Sequence, residues 1–253
     1  MKNSSSDFLL IDAGNTRLKW AVADRNGAIR VAGDIATGAA SPKAIASLAR
    51  KYPNQTAILA SVVPRILPAF QSAFSGRLIE VTTHLPHLGL RFQYPKPSEL
   101  GADRIAAAVA VQKQTPAIII ACGTATAFTV VDAHGKLCGG AIAPGLQAQL
   151  DALLGATAQL PATDLRLPRH ALAKSTRDAI RAGVMLNYRG GVKEILQALL
   201  KELPRRPAPK IILTGGNYPL LAKELGPRVK LRPLLIFEGL LMIGTRLGRS
   251  FSR

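Results

Sequence analysis

Cysteine and acidic residues are scarce in this sequence. Of 253 residues, only Cys122 and Cys138 are cysteines, and they form no CxxC pair. The sequence therefore indicates neither a disulfide scaffold nor a structural zinc site. There are 33 Lys and Arg residues but 15 Asp and Glu residues, a formal net charge of +18. This charge attracts nucleic acid, nucleotide phosphates and acidic metabolites alike, and it equally fits a surface that serves solubility.

Long apolar runs and the common nucleotide-binding signatures are absent as well. No run approaches the ~18 apolar residues of a membrane helix, and the opening residues show no basic region followed by a cleavage site. We therefore expect no export, no membrane partner and a cytoplasmic location. Neither G-x-x-x-x-G-K-[ST] nor G-x-G-x-x-G occurs, so the sequence disfavours P-loop and Rossmann nucleotide binding.

Alternating apolar runs and turns fill the first part of the chain, which at 48% hydrophobic content has enough apolar residues for a sizeable core. Three successive strand-like runs, at 8–12, 17–23 and 28–35, predict an antiparallel meander. Helices and strands then alternate, which predicts parallel pairing with both faces of the sheet covered. The predicted segments are a helix at 42–51, a strand at 56–63, a helix at 67–74 and a strand at 77–82.

The same plan begins again after a predicted helix at 105–113. Strands at 117–122, 126–132 and 136–142 surround a Gly123-Thr124 turn, and a repeat spacing of roughly 110 residues indicates two similar domains rather than a solenoid. Helices at 146–154 and 176–203, the second with Ser175 as N-cap, a strand at 210–213 and a helix at 236–247 complete the pattern. We predict an α/β protein with domains at 1–114 and 115–253.

The first glycine turn, Asp12 to Lys19, has the residues of a phosphate-binding loop. Glycine allows close approach of a phosphate, and backbone N–H groups with the Asn15 and Thr16 side chains can donate hydrogen bonds. Asp12 can orient the water ligands of Mg²⁺, and Lys19 can neutralise phosphate charge. An ordinary hairpin with a capping Asp explains Asp-x-Gly alone equally well. Two further strand-ending turns, Gly123-Thr124 and Thr214-Gly215-Gly216, favour phosphate loops and resemble the acetate and sugar kinase, heat-shock ATPase and actin superfamily.

An ordered set of short motifs narrows this resemblance to type III pantothenate kinase. The set runs through nearly the whole chain: DAGNTRLK (12–19), Tyr94 with Pro97, GADR (101–104), GTAT (123–126), GGAIAPG (139–145), Ser175-Thr176, TGGN (214–217) and FEGL (237–240). Each motif alone is weak, whereas the ordered set is specific.

The resemblance implies two ribonuclease H-like domains, a homodimer, and ATP-dependent phosphorylation of pantothenate at the first step of coenzyme A synthesis, with Mg²⁺ and an activating K⁺ or NH4⁺ ion. It implies Asp103 as general base. The residues implied to hold ATP are Asp12, Ala13, Gly14, Asn15, Thr16, Arg17, Leu18, Lys19 and Thr124, with Asp12 meeting Mg²⁺ through water. Those implied to hold pantothenate are Tyr94, Gly101, Ala102, Asp103, Arg104 and Thr176.

The chemistry of these residues is compatible with phosphoryl transfer to an alcohol. An Asp beside the hydroxyl can accept its proton, and Arg104 can bind a carboxylate through charge-assisted bonds. Tyr94 offers an apolar face with a polar tip. Taken alone, GADR also fits a helix start with an early acidic residue, and Thr176 fits a first-turn helix residue.

Two positions depart from the family pattern near the second glycine turn. Many type III enzymes carry Asp where this chain has Ala121, and Thr129 stands where the usual T-T-x-D motif ends in Asp. Because hard cations require oxygen ligands, these departures weaken the expectation of a K⁺ or NH4⁺ site.

Three alternatives stay open at the level of sequence. The first is a regulatory or binding protein of the same fold without turnover, which the intact Asp12 and Asp103 oppose. The second is a nucleic-acid binder that uses the basic charge, although we do not expect nucleic acid as a partner. The third is a kinase of this fold with another small substrate, which depends on the surroundings of Tyr94 and Arg104.

Overall fold

The computed structural model describes residues 7–24, 26–157, 159–168, 170–204, 206–222, 224–227 and 229–250. The strands are β1 (Phe8–Ala13), β2 (Arg17–Ala23), β3 (Ile29–Ala36), β4 (Thr56–Ser61), β5 (Leu78–Glu80), β6 (Arg91–Phe92), β7 (Ala117–Cys122), β8 (Ala125–Val131), β9 (Lys136–Gly139), β10 (Ile142–Pro144), β11 (Lys210–Thr214) and β12 (Val229–Leu231). The helices are α1 (Pro42–Lys51), α2 (Leu67–Ala73), α3 (Ala102–Val111), α4 (Leu146–Gly155), α5 (Thr176–Glu202), α6 (Pro219–Ala222) and α7 (Leu235–Ser250).

The chain divides into two compact units. Of the described residues, the first unit holds 7–114, 135–137 and 234–250, and the second holds the described residues of 115–134 and 138–233. Helix α7 therefore belongs to the same unit as β1 and α3.

The sheet of the first unit has the strand order β3-β2-β1-β4-β5. Strands β1, β2 and β3 pair antiparallel, while β1, β4 and β5 pair parallel, so the predicted meander and parallel pairing are both confirmed. Strand β1 is buried along almost its whole length because helices cover the parallel part of the sheet. The principal core includes Leu9, Ile11, Leu59, Phe70 and Phe74.

Helix α3 is a buried, Ala-rich helix that packs closely against α7. A Cβ built on Gly239 of α7 would lie 1.9 Å from the carbonyl oxygen of Ala106 in α3. Farther along α7, a Cβ on Gly244 would lie 3.0 Å from the ring of Phe8 in β1. These two glycines let α7 pack at backbone distance from α3 and close to the sheet.

The strands that lie wholly in the second unit have the order β12-β11-β7-β8, with β10 paired to β8. Here too the first hairpin is antiparallel, and β7, β11 and β12 are parallel. The strand order therefore corresponds to that of the first unit. Helix α5 covers this sheet through buried residues such as Met185 and Tyr188, and Ser175 is its N-cap as predicted, accepting a 3.2 Å bond from the Asp178 N–H.

Several predicted elements differ from the structure in their bounds, and in two of them a glycine is the cause. The strand predicted over 136–142 is interrupted, because Gly139 and Gly140 have φ of 144° and 149°, outside the range of an ordinary strand. The helix predicted from residue 105 begins at Ala102, because Gly101 is its extended N-cap residue. This earlier start puts Asp103 in the first turn. In the described part of the chain, no helix is both long and apolar enough to cross a membrane.

Candidate active site

In the first glycine turn, four residues, 14–17, lie between Ala13 of β1 and its pairing partner Leu18 of β2. The Gly14 N–H donates to the Arg17 carbonyl at 3.0 Å and closes the turn. Asn15, Thr16 and Arg17 are exposed. The turn therefore offers exposed polar groups on a short, internally bonded loop.

Thr37 holds this turn from the end of β3. Its Oγ1 donates to the Gly14 carbonyl at 2.6 Å, and its backbone N–H donates to the Thr16 carbonyl at 2.9 Å. Thr37 is 1% exposed. No sequence motif indicates a role for Thr37, which is a lone Thr before a short turn.

The side chain of Arg17 points to β3, where its guanidinium forms an ion pair with Asp34. Both side chains are nearly half exposed, so the pair contributes little to stability. The resemblance implies that Arg17 holds ATP. In the structure its charge is paired with the Asp34 carboxylate.

Asp12 and Lys19 lie opposite each other on β1 and β2. Burial, and after it the charge of Asp103, raise the pKa of Asp12 to about 7, although Lys19 opposes the shift. Burial and a second acid therefore outweigh the lysine. The coupling also indicates that the Asp12 and Asp103 carboxyl groups lie close enough to interact.

Asp103 lies at the amino end of α3, where its Oδ1 accepts a 2.8 Å bond from the Arg104 N–H. Burial raises its pKa, while this N–H and the Arg104 charge oppose the shift. A Cβ built on Gly101 would lie 2.5 Å from Oδ1 of Asp103. A side chain at position 101 would therefore collide with the Asp103 carboxylate where it now lies.

Tyr94 and Arg104 belong to the same unit as Asp12 and Asp103. Arg104 is 8% exposed, and Tyr94 is partly buried. The segment before Tyr94 is held in place because β6 pairs with Lys136 and Leu137, and the Gln93 N–H donates to the Leu137 carbonyl at 2.9 Å.

A second anchor lies a few residues before β6. The Leu88 carbonyl accepts a 3.1 Å bond from Gln112 Nε2 and a bond from the Arg246 guanidinium. Arg246 also donates to Gln112 Oε1 at 2.6 Å. Residues at the ends of α3 and α7 thus fix the loop that leads to Tyr94, a contact that no sequence motif indicated.

The second glycine turn is one residue shorter than the first. Cys122 pairs with Thr126, and the Gly123 N–H donates to the Ala125 carbonyl at 3.0 Å. Thr124 is exposed, and its carbonyl accepts a 3.0 Å bond from the Gly145 N–H. Close approach explains this glycine, because a Cβ on Gly145 would lie 2.4 Å from that carbonyl oxygen.

The third glycine turn packs against the second. Gly215 has φ of +89°, and a Cβ there would lie 2.5 Å from the Cys122 carbonyl oxygen. The Asn217 N–H donates to the same oxygen at 3.1 Å. The motifs GGAIAPG and TGGN therefore both support the GTAT turn, while the phosphate-binding role of Thr214-Gly215-Gly216 stays a prediction.

Thr176 and Ala121 complete the predicted set within the second unit. Thr176 is exposed in the first turn of α5. Ala121 pairs with Ala127 of β8 on one side and with Thr214 of β11 on the other, so neither of these neighbours places a carboxylate beside it. Asp132 accepts from the His134 N–H in the turn after β8, at the other end of that strand. No group of three metal-ligating side chains occurs among the described residues.

Asp12, Lys19, Gly101, Asp103, Arg104 and Tyr94 thus lie in the first unit, and Thr124 and Thr176 lie in the second. Comparison with known proteins identifies the family of this chain. The sequence pattern described as type III pantothenate kinase matches residues 8–198. The chain belongs to the type III pantothenate kinase family. A type III pantothenate kinase from Methylacidiphilum infernorum (isolate V4) is 35% identical over 239 residues, which cover 94% of this chain and 88% of that protein.

Solved structures agree with the predicted fold. A Campylobacter jejuni chain described as a Baf family transcriptional activator is similar with a TM-score of 0.63 at 20% identity, covering 96% of this chain and 100% of that one. MreB 5 of Spiroplasma citri bound to AMPPNP is similar with a TM-score of 0.56 at 13% identity, covering 97% and 98%. The predicted α/β fold of the actin and sugar kinase superfamily is confirmed for this type III pantothenate kinase family member.

Proposed function

We propose that this chain transfers the γ-phosphoryl group of ATP to pantothenate and so makes 4'-phosphopantothenate for coenzyme A synthesis. Membership of the type III pantothenate kinase family supports ATP and pantothenate as substrates. The observation that carries the proposal is the placement of two acids in one unit, Asp12 near the end of the phosphate-loop strand β1 and Asp103 in the first turn of α3, where the charge of Asp103 helps to raise the pKa of Asp12. Because the relatives are named as kinases, the regulatory alternative is not favoured.

In this proposal Asp103 is the general base. Phosphoryl transfer requires an acceptor for the proton of the attacking hydroxyl, and a base is more effective when its pKa is nearer to the operating pH. Burial moves the pKa of Asp103 in that direction. The Arg104 N–H holds one carboxylate oxygen at 2.8 Å and thereby orients the group.

The predicted binding residues form two groups, one for ATP and one for pantothenate. The 12–19 turn and Thr124 bind ATP phosphates through N–H and hydroxyl donors, and Lys19 neutralises negative charge. Tyr94, the 101–104 segment and Thr176 bind pantothenate, with Arg104 as the partner for its carboxylate. The buried position of Arg104 favours this role, because a carboxylate bound there gains more from the charge than it would in water.

The family also implies a divalent metal ion, and the acidic pair fits one. The negative charge of Asp103 repels that of Asp12 and contributes to the raised pKa of Asp12. A hard cation, which binds one or two carboxylates and several waters, relieves this repulsion. We propose Mg²⁺, held by Asp12 through water. When bound, it would neutralise charge on the phosphates.

We further propose that turnover depends little on K⁺ or NH4⁺, because Ala121 and its neighbours in the sheet supply no carboxylate. Comparing rates in K⁺, NH4⁺ and Na⁺ buffers tests this, and Ala121→Asp is the informative variant. If the position determines the ion site, that variant alone should be activated by K⁺. A homodimer and a cytoplasmic location complete the proposal.

The direct test is formation of phosphopantothenate from ATP and pantothenate by the purified chain. Asp103→Asn should lower kcat by at least about a hundredfold, as expected for a lost general base. Asp151→Asn, on an exposed face of α4, is the matched control and should leave kcat unchanged. A folded wild-type chain that binds ATP without turnover would instead support the regulatory alternative.

A further inference from the structure

Thr37 holds two carbonyl groups of the first glycine turn, although it lies outside every motif of the sequence. Its hydroxyl donates to Gly14 at 2.6 Å, and its N–H donates to Thr16 at 2.9 Å. Since Thr37 is 1% exposed, both carbonyl oxygens face the protein side of the turn. Because the Thr37 hydroxyl is buried and its hydrogen bond is short, this bond holds the Gly14 carbonyl in one position.

The direction of the Gly14 carbonyl determines the direction of the next N–H. In a trans peptide unit the C=O and the following N–H point to opposite sides. The Gly14 carbonyl points to Thr37, so the Asn15 N–H points away from Thr37. Asn15 is an exposed residue, so this peptide unit lies at the surface, where an anion can approach.

We propose that Thr37 is a positioning residue for nucleotide binding: by fixing the Gly14–Asn15 peptide unit it presents the Asn15 N–H, and not the Gly14 carbonyl, to a phosphate of ATP. If this peptide unit turned over, a carbonyl oxygen would face the phosphate and repel it. The inference rests on the proposed function for the identity of the ligand, and it assigns Thr37 no contact with the substrate.

Two substitutions separate the hydroxyl from the shape of the side chain. Thr37→Val removes the donor and keeps the branched shape, whereas Thr37→Ser keeps the donor and removes a methyl group. Thr245→Val is a matched control, because Thr245 Oγ1 donates to the Leu241 carbonyl at 2.8 Å in the same unit but within α7. All three are compared with the wild type for kcat, for both KM values and for the Kd of Mg–ADP by calorimetry.

Thr37→Val should raise the KM for ATP and the Kd for Mg–ADP about tenfold, while the KM for pantothenate at saturating ATP stays within about twofold. Thr37→Ser and Thr245→Val should stay within about threefold of the wild type in every constant. The proposal is overturned if Thr37→Val binds Mg–ADP normally, if Thr37→Ser is equally damaged, or if Thr245→Val weakens ADP to the same extent.

A measurement on the wild-type chain needs no variant and covers the case in which Thr37→Val does not fold. In amide NMR spectra, Mg–ADP should shift the Asn15 N–H resonance strongly, and exchange of the Thr37 amide with solvent should slow. An unshifted Asn15 resonance at saturating Mg–ADP would overturn the proposal. A wild type that binds Mg–ADP with these signatures but does not phosphorylate pantothenate would contradict the proposed function alone.

Discussion

Gly101 leaves free the space in which the Asp103 carboxylate lies. A methyl group on Gly101 would lie 2.5 Å from Oδ1 of Asp103 and 3.3 Å from Cγ1 of Val62. Real Cβ contacts are not this short, so either the carboxylate or the start of α3 has to shift. The GADR motif thus requires glycine at position 101 for a steric reason, which is separate from any contact with substrate.

Gly101→Ala should therefore lower kcat at least about tenfold, because a displaced base loses its alignment with the hydroxyl. Steady-state kinetics with pantothenate provide the measurement. Gly183→Ala in α5 is the matched control, since a Cβ there meets nothing within 4 Å. Unchanged kcat in Gly101→Ala would mean that the carboxylate moves without loss of function.

Asp12→Asn should stabilise the unliganded protein at neutral and higher pH while abolishing most activity. The folded-state pKa of Asp12 is about 7 and its ordinary value is 3.8, so between these pH values the folded chain binds a proton that the unfolded chain does not. Stability should therefore fall as pH rises from about 4 to 7, and this contribution stays lost above pH 7. The difference corresponds to at most roughly 4 kcal/mol.

Urea unfolding at pH 5 and pH 8 measures this effect. The wild type should lose more stability than Asp12→Asn between the two pH values, whereas Asp151→Asn, an exposed carboxylate, should follow the wild type. If the wild type and Asp12→Asn change in parallel with pH, the Asp12 carboxyl is not protonated in the folded chain.

Two glycines of α7 should respond to alanine with opposite signs. Gly239→Ala places a methyl group 1.9 Å from the Ala106 carbonyl oxygen and should destabilise the chain by at least about 1–3 kcal/mol, as overpacking does. Gly248→Ala meets nothing within 4 Å and should stabilise it by about 0.5–1 kcal/mol through helix propensity. Chemical unfolding of both variants measures the sign, and equal effects would show that α3 and α7 separate easily.

Arg246→Lys should weaken pantothenate binding without affecting ATP. Lysine cannot reproduce the two directed bonds that Arg246 makes to the Leu88 carbonyl and Gln112. Because these bonds fix the loop that leads to Tyr94, we expect a KM for pantothenate raised several-fold, which follows from losing about 1 kcal/mol. Arg50→Lys on the exposed side of α1 is the control, and an equal rise in the KM for ATP would contradict a local effect.

Most elements and the family could be predicted from sequence, because their signals are local. Bounds such as Arg17–Ala23 and Ala117–Cys122 follow from apolar runs next to glycine turns, and the helix predicted at 42–51 matches Pro42–Lys51, in which Pro42 takes the first helical position. The break in the strand after β9 was missed, since positive φ at Gly139 and Gly140 depends on backbone geometry that two adjacent glycines only permit.

The support of the candidate site was much harder to predict. Thr37, Gly145 and Arg246 act on residues distant in the sequence, and their effect depends on how strands and helices come together. Thr37 and Arg246 lie outside every motif, and the motif that contains Gly145 does not by itself indicate that this glycine supports the turn at Thr124.

The packing of α7 against α3 also constrains the order of events during synthesis. The segment between these helices, 112–234, must leave the ribosome before α7 does, and at about 5–20 residues per second this takes roughly 6–25 seconds. Throughout that time the Ala-rich surface that receives Gly239 is uncovered in the nascent chain. The first unit is therefore completed only after the second has been synthesised, and a stop codon just before α7 should damage the amino-terminal unit rather than the second unit.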